Sequence, residues 1–353
     1  MATVYVHIGM PKTGTTYLQN FLEANETLLN RQGYTFPIFD TPFERIAKER
    51  NAFFLKYKVY TQYENSDSAI EKETYEKHMK KIAEIGKTYP NIILSNESHW
   101  NSKTIPWADI QKDFANIGLS LKLIVYLRRQ DAFAQSLFAQ KVKTGYTKSY
   151  ENFIASDFFH EYYLDYYKRL NELSDEIGRE NLIVRTYDKA RFQRTNHTVT
   201  SDFLEAIGLT ETDEYVSIEN TNMNPSLFGP YLEVKRLLNQ NPVFKTRQNF
   251  GTKLLINLIA REGNFIDFNS NQFLSRRARR KFLRQFEESN VMVAKKYLHR
   301  NDGILFEEIP HTKKETKRIT YDSNELIQIC GDMLIEQQKT IDDLKQKLKK
   351  FTL

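Results

Sequence analysis

The chain reads as an α/β protein: a P-loop-type parallel sheet flanked by helices, with helical C-terminal additions and a terminal coiled-coil-like helix. Strands alternating with long helices are the first sign, because a β-α-β order closes most simply as a parallel sheet with helices on both faces. The stretch 121–129, LKLIVYLRR, is the second sign: an apolar run ending in two arginines suits a central strand covered on both faces. The third is 4–22, VYVHIGMPKTGTTYLQNFL. Here a β-branched and aromatic run passes through a glycine-bearing turn into an amphipathic pattern of Tyr17, Leu18, Phe21 and Leu22.

In chain order, the first strand is expected over 4–9 and its helix over about 15–30, ending before Gly33. Residues 41–65 are aromatic and charged without a clear period and read as helical or irregular cover. A polar helix follows at 67–87, with Ile70, Tyr75, Met79, Ile82 and Ile85 as its apolar residues. Asn91–Ser95, preceded by Pro90, is the second strand and 121–128 the third. The next helix takes Asp131 as its N-cap and sets Phe133, Leu137 and Phe138 on one side. Residues 150–178 are helical and tyrosine-rich up to Gly178; 181–187 is the fourth strand; a helix from Val199 to Ile207 stops at Gly208. Beyond 208 the chain is mostly helical, with breaks at Pro225, Pro230 and Pro242.

These boundaries give a main domain over 1–310, a linker over 311–322 and a C-terminal helix over 323–353. In that helix Ile327, Cys330, Leu334, Gln337, Ile341, Leu344 and Leu348 follow alternating spacings of three and four. That is an a/d seam of about three heptads with one polar member. A seam this short is marginal alone, so the helix either pairs with a second copy, the preferred reading, or folds back on the core.

A chain of 353 residues can bury one large α/β core with additions. Its 40% hydrophobic content, with 24 Phe and 20 Tyr, excludes a disordered chain. A net charge of +6 and a pI of about 9.0 suit a polyanionic ligand. No zinc-finger, RRM or KH pattern points to nucleic acid. With Cys330 as the single cysteine no intrachain disulfide can form, in keeping with a reducing cytoplasm. The N-terminus shows no basic region before an apolar stretch, and no segment reaches 18 apolar residues, so a cytoplasmic protein without a transmembrane span is expected. Seven scattered histidines without an HExxH or Cys/His cluster give no support to a metal.

The loop after the first strand carries the chemistry. Gly9, Gly14 and Thr16 stand where a nucleotide-binding P-loop has its two glycines and its hydroxyl. The residue before that hydroxyl should be lysine and is Thr15; the lysine stands three residues earlier, at Lys12. Backbone amides at the following helix N-terminus, with the helix dipole, form an anion site, and Gly14 lets the backbone approach the anion closely. In an NTPase the lysine serves the β- and γ-phosphates, so moving it changes which oxygen it reaches. With its lysine before the second glycine, PKTGTT (11–16) resembles the 5′-phosphosulfate loop of sulfotransferases that use 3′-phosphoadenosine 5′-phosphosulfate (PAPS). HIGMPKTGTTYLQNFL (7–22) is similar to the bacterial branch that decorates glycans, as are the stretches 184–209, 220–239 and 287–308. The resemblance spans roughly residues 3 to 309.

The resemblance implies a PAPS-dependent enzyme, needing no metal, that sulfates a hydroxyl or amine of a carbohydrate such as a capsular, lipopolysaccharide or exopolysaccharide sugar. It assigns the 5′-phosphosulfate to Pro11, Lys12, Thr13, Gly14, Thr15 and Thr16, with Lys12 stabilising charge on the bridging oxygen. Sulfotransferases carry an arginine at the end of the later strand and a serine eight residues on, both for the 3′-phosphate; Arg128 and Ser136 have that spacing. Arg128 and Arg129 also stand at the carboxyl end of their strand, where open α/β sheets bind ligands. A general base is sought in Leu94–Trp100, LSNESHW, which leaves the second strand at the same edge. Glu97 and His99 are both candidates, and an extended segment would face only one of them to the site. Glu97 resembles the family's glutamate and is preferred.

His7 reads as a buried strand histidine. Asn222, Asn224 and Ser226 read equally as cofactor or acceptor contacts and as loop and cap chemistry. The basic run 276–284 reads as a solvated helix face, with an acceptor-docking or membrane-surface patch as the alternative. Two other classes stay open. One is a P-loop kinase, against which the displaced lysine argues; the other is a non-catalytic assembly protein built on the C-terminal helix.

Overall fold

The computed structural model describes residues 1–40, 50–62, 68–218, 227–246, 248–261, 273–307 and 321–351. Asn222, Asn224, Pro225, Ser226 and most of the expected linker lie outside the described residues. The chain divides into two compact units. The first comprises Met1–Gln130, Glu161–Thr221 and Gln285–Ile309; the second comprises Asp131–His160, Asn222–Arg284 and Pro310–Leu353.

The first unit contains β1 (Ala2–Gly9), α1 (Thr15–Ala24), α2 (Glu26–Arg31), β2 (Tyr34–Thr35), α3 (Ala69–Thr88), β3 (Asn91–Ser95), α4 (Trp107–Asn116) and β4 (Leu119–Arg128). Leaving β4, α5 (Gln130–Lys143) runs into the second unit, with α6 (Tyr150–Ile154) and α7 (Asp157–His160). The first unit resumes with α8 (Tyr166–Ile177), β5 (Leu182–Tyr187), α9 (Lys189–Thr195) and α10 (Val199–Ala206). Then come α11 (Gly229–Leu238), α12 (Pro242–Thr246), α13 (Gln248–Arg261) and α14 (Arg276–Arg284) of the second unit, α15 (Glu287–Tyr297) of the first, and α16 (Ser323–Phe351) of the second.

The five strands form one parallel sheet in the order β2-β3-β1-β4-β5. The four expected strands are β1, β3, β4 and β5; the two-residue edge strand β2 is too short to show a period. In β4 the residues from Leu123 to Leu127 are all buried, as a strand covered on both faces requires. One face is sealed by α1, α2 and α10, whose Leu18, Phe21, Leu22, Leu29, Phe203 and Leu204 pack with Ile93, Ile124 and Tyr126. From β1 the chain goes to β2 and β3 on one side, whereas β4 leads to β5 on the other. The carboxyl ends of β1 and β4 therefore frame a topological switch point, the place where open α/β sheets take their ligands.

Several elements differ from expectation, each for a local reason. The helix after β1 is interrupted at Asn25, whose amide donates to the carbonyls of Phe21 and Val216. The 150–178 stretch is three helices, because Ser149 and Asp165 each accept a backbone N–H and start a new one. Asp131 does not cap α5: it sits inside the first turn, buried, and its carboxylate accepts from Arg279 of α14. Pro230 and Pro242 begin α11 and α12 rather than breaking helices, since a first-turn proline lacks only an N–H that has no helical partner. Of the 41–65 stretch, Phe53–Gln62 forms a 3-10 helix that packs on α3 and buries Phe53, Phe54, Leu55 and Tyr57.

In the second unit α16 packs on α11 and α13, and its Ile329 and Met333 are buried. On α14, Arg277, Arg280, Lys281 and Arg284 are exposed while Phe282 is buried, a solvated basic face on an apolar anchor. No helix of the described residues is long and apolar enough to cross a membrane.

Candidate active site at the ends of β1 and β4

The loop from β1 to α1 is shaped by two glycines and one lysine in the left-handed region. Gly9 has φ +97° and Gly14 φ +81°. A Cβ on Gly9 would lie 2.5 Å from the carbonyl oxygen of Glu97, so glycine lets the loop backbone touch the segment after β3. A Cβ on Gly14 would press on the Tyr187 ring at 3.2 Å. Lys12 takes φ +69°, a conformation that costs a non-glycine residue about 1 kcal/mol. Arg128 offsets this by donating from Nη1 to the Lys12 carbonyl at 2.5 Å, which ties the β1 loop to the end of β4.

Gly14 is the N-cap of α1. It offers no side chain to the first-turn amides, and the first turn holds no acid. Those amides, at the positive end of the helix, have the arrangement that receives an anion. The three threonines differ in fate. Thr13 is buried and its hydroxyl donates to the Met10 carbonyl at 2.6 Å, so it holds the loop shape. Thr15 is buried with a hydroxyl that meets no partner among the described residues, an uncompensated polar group of the kind an incoming oxyanion satisfies. Thr16 is exposed at the start of the helix, and Pro11 sits half-buried in the turn.

The charges converge. Burial pushes the Lys12 ammonium below its ordinary lysine range; the Arg128 guanidinium pushes the same way, and the Glu97 carboxylate opposes both. Two cations and one carboxylate thus share the mouth of the switch point. Arg128 also lies over the Tyr187 ring at 5.5 Å, and its carbonyl accepts from the Tyr166 hydroxyl at 2.5 Å. Arg129 turns away, donating to the carbonyl of Glu307 at 3.4 Å.

Glu97 and His99 part company because the segment after β3 is not extended. Residues 97–99 form a single 3-10 turn capped by Asn96, whose side chain accepts from the Ser98 N–H. Asn96 N–H donates to the His7 carbonyl and Trp100 N–H to the Ile8 carbonyl, both at 2.9 Å, fastening the turn to β1. Glu97 remains partly exposed beside Lys12. His99 is 1% exposed, its Nε2 lies 2.8 Å from the Ala52 carbonyl, and its ring meets Trp107 edge-on. Burial lowers its pKa to about 4, so it is a neutral interior ring. His7 is buried too, with Nδ1 3.0 Å from the Ser95 hydroxyl, which also receives Gln19 Nε2 at 3.0 Å. Ser136 lies half-buried within α5, in the second unit.

Arg50 is a site residue that sequence reading missed. Its Nη2 donates to Glu97 Oε1 at 3.2 Å. Asn51 accepts the Ser95 N–H at 2.7 Å and donates to the Ile93 carbonyl, and the Ala52 N–H donates to the Ser95 carbonyl at 3.3 Å. Residues 50–52 therefore clamp the end of β3 and steer Glu97. These partners lie more than forty positions apart in a stretch without periodicity, and no local signal marks them.

Two other features do not fit a polyanion. His197, Asp202 and Glu205 bring ligand-type atoms within 4.8 Å of one another. Asp202, however, is already compensated by Arg185 at 2.6 and 2.9 Å and by the Tyr126 hydroxyl at 2.7 Å. A cleft of about 760 Å³ beside it is lined by Glu205, Glu211 and Asp213 and carries the wrong charge.

No protein-family model matches the chain. A protein of Archaeoglobus fulgidus, described as uncharacterized, is 32% identical over 221 residues, which is 62% of this chain. The match covers 56% of that protein, so the chain spans little more than half the length of this relative. The crystal structure of a sulfotransferase from Alicyclobacillus acidocaldarius aligns with a TM-score of 0.39 and 15% sequence identity, covering 72% of this chain and 95% of that one.

Proposed function

We propose that the protein is a PAPS-dependent sulfotransferase acting on a hydroxyl or amine of a carbohydrate. The observation that carries this reading is the meeting of Lys12, Arg128 and Glu97 at the uncapped N-terminus of α1. The resemblance of PKTGTT to the phosphosulfate loop supports it. The residues fit a donor bearing a phosphosulfate: free-standing helix amides, the orphan hydroxyl of Thr15 and two cations whose mutual repulsion an anion would relieve. When bound, the donor supplies an activated sulfuryl group.

The chain's own part is electrostatic and positional. Lys12 meets the charge that develops on the bridging oxygen, and does so within a partly buried site where each charge counts for more than in water. The amides of Gly14, Thr15 and Thr16 hold the phosphate side. Arg128 takes the 3′-phosphate. Glu97, held by Arg50, accepts the acceptor's proton. A kinase places its lysine immediately before the helix hydroxyl; here that position is Thr15, with its hydroxyl buried. The test is transfer of label from radiolabelled PAPS to cell-extract glycans. Labelled glycan is the expected product; PAPS binding without transfer to any acceptor would instead favour a non-catalytic protein.

A further inference from the structure

The net charge of this chain is concentrated in one short helix. Six of the nine residues of α14 are arginine or lysine, and none is acidic. The whole chain carries 51 lysines and arginines against 45 acids; setting aside the six of α14 leaves 45 against 45. At about 100° per residue, Arg277, Arg280, Lys281 and Arg284 fall within one arc of about 100°. All four are exposed. The opposite side is fixed to its own unit. There Arg279 donates to the buried carboxylate of Asp131, and the Phe282 ring lies 6.2 Å from that of Phe159. Among the described residues none of the four outward cations has a carboxylate or other hydrogen-bond partner. The arrangement opposes helix electrostatics twice. Like charges three and four apart repel, and the first turn sets arginines, with no acid, at the positive end of the helix dipole. An anion lying along the stripe relieves both.

We propose that this stripe is a docking surface for an acidic polysaccharide, one bearing carboxylate or sulfate groups, and that the glycan acceptor is such a polymer; this rests on the carbohydrate reading above. From Arg277 to Arg284 the stripe runs two turns, about 10 Å, so a linear polyanion can lie along it and meet several cations at once. Three of the four are arginines, whose planar forks pair with carboxylate or sulfate through two parallel hydrogen bonds. The surroundings argue against the two other polyanionic partners. A helix that binds a membrane surface inserts apolar side chains. Phe282 is instead buried within its own unit, and no large hydrophobic side chain is exposed among the described residues of α14. The nearby exposed aromatic of α7, Phe158, has Lys141 Nζ over its ring at 4.3 Å. Single-stranded nucleic acid stacks its bases on exposed aromatic side chains, and the stripe has none. Holding one segment of a polymer raises the local concentration of its other sugars for the same chain.

The test is fluorescence anisotropy of a labelled polygalacturonate oligosaccharide with the full chain. The wild type is expected to bind it, losing affinity by about tenfold or more between about 50 and 200 mM salt, and not to bind neutral dextran. The combined substitution Arg277→Gln, Arg280→Gln, Lys281→Gln and Arg284→Gln is expected to weaken binding by about tenfold or more at low salt. Glutamine keeps the helix propensity, and melting curves check that the variant folds. Lys72→Gln, Lys77→Gln, Lys80→Gln and Lys87→Gln together, on α3, remove the same charge and are expected to leave binding nearly unchanged. The stripe variant is expected to keep its affinity for 3′-phosphoadenosine 5′-phosphate. Glycan binding that survives the stripe variant, falls equally in the α3 variant, or is lost together with nucleotide binding overturns the docking surface. Stronger competition by phosphatidylserine vesicles or by a DNA oligonucleotide than by unlabelled oligosaccharide, at equal charge, overturns the choice of partner. A wild type that binds the oligosaccharide through the stripe but does not bind 3′-phosphoadenosine 5′-phosphate overturns the donor reading and upholds the docking surface.

Discussion

At the scale of the residue, Lys12 holds a conformation that favours glycine and a charge that burial and Arg128 both oppose. Side chains are kept in such positions when they meet a ligand. Lys12→Ala is expected to keep the fold and lose sulfuryl transfer by about 10²-fold or more, the scale for removing one preorganised charge; steady-state kinetics beside a melting curve checks it. The sign of the Lys12 shift gives a second test. Its folded pKa is below the ordinary lysine value, so the ammonium loses its proton at a lower pH than an exposed lysine. Affinity for 3′-phosphoadenosine 5′-phosphate should fall as pH rises through that lowered value, and Lys12→Arg should move the fall to higher pH, as titration calorimetry across pH would show. Lys12 and Arg128 were legible in the sequence because each adjoins a strand end within one short motif. Arg50 was not: its importance comes from contact with Glu97, 47 positions away.

At the scale of the element, the turn 97–99 decides which candidate base is available. An extended segment and a 3-10 turn place alternate residues differently, and sequence patterning cannot separate the two over three residues. The turn buries His99 and leaves Glu97 beside Lys12. Glu97→Gln is expected to lower kcat by about 10² to 10⁴. Its affinity for the nucleotide product should not fall, since the change removes a negative charge near Lys12. A normal kcat would show that the acceptor proton goes elsewhere. Gly9→Ala tests the contact that sets the turn against the loop. It forces a Cβ onto the Glu97 backbone and requires a positive φ, so it is expected to destabilise by about 2 kcal/mol or more in urea melts. The same limit of local reading explains α16: heptad spacing located the apolar seam, but only the packed helix reveals that its buried apolar residues, Ile329 and Met333, lie outside that seam.

At the scale of the whole molecule, the parallel sheet was readable because central strands and amphipathic helices each impose a period on the sequence. The division into two units was not, since each unit is assembled from three separated stretches of chain. Stability against acid is a property of the whole fold with a definite sign. His7 and His99 have folded pKa values lowered to about 4 by burial, against an ordinary 6.5. Between these values the unfolded chain binds more protons, so stability is intact above pH 6.5, falls as pH drops to about 4, and gains no further slope from these two groups below that. The loss is roughly 3 kcal/mol per histidine. Urea melts from pH 7 to 4 should show it, and His99→Gln should remove about half.

The central claim is that the ends of β1 and β4 hold a donor of the PAPS type, and nucleotide binding tests it most directly. Titration calorimetry with 3′-phosphoadenosine 5′-phosphate in the absence of Mg²⁺ is expected to show one site per chain, weakened by at least tenfold in Arg128→Ala and tighter than ATP with Mg²⁺ in the wild type. Binding of ATP with Mg²⁺ in preference to 3′-phosphoadenosine 5′-phosphate, or binding indifferent to both Lys12→Ala and Arg128→Ala, would contradict it.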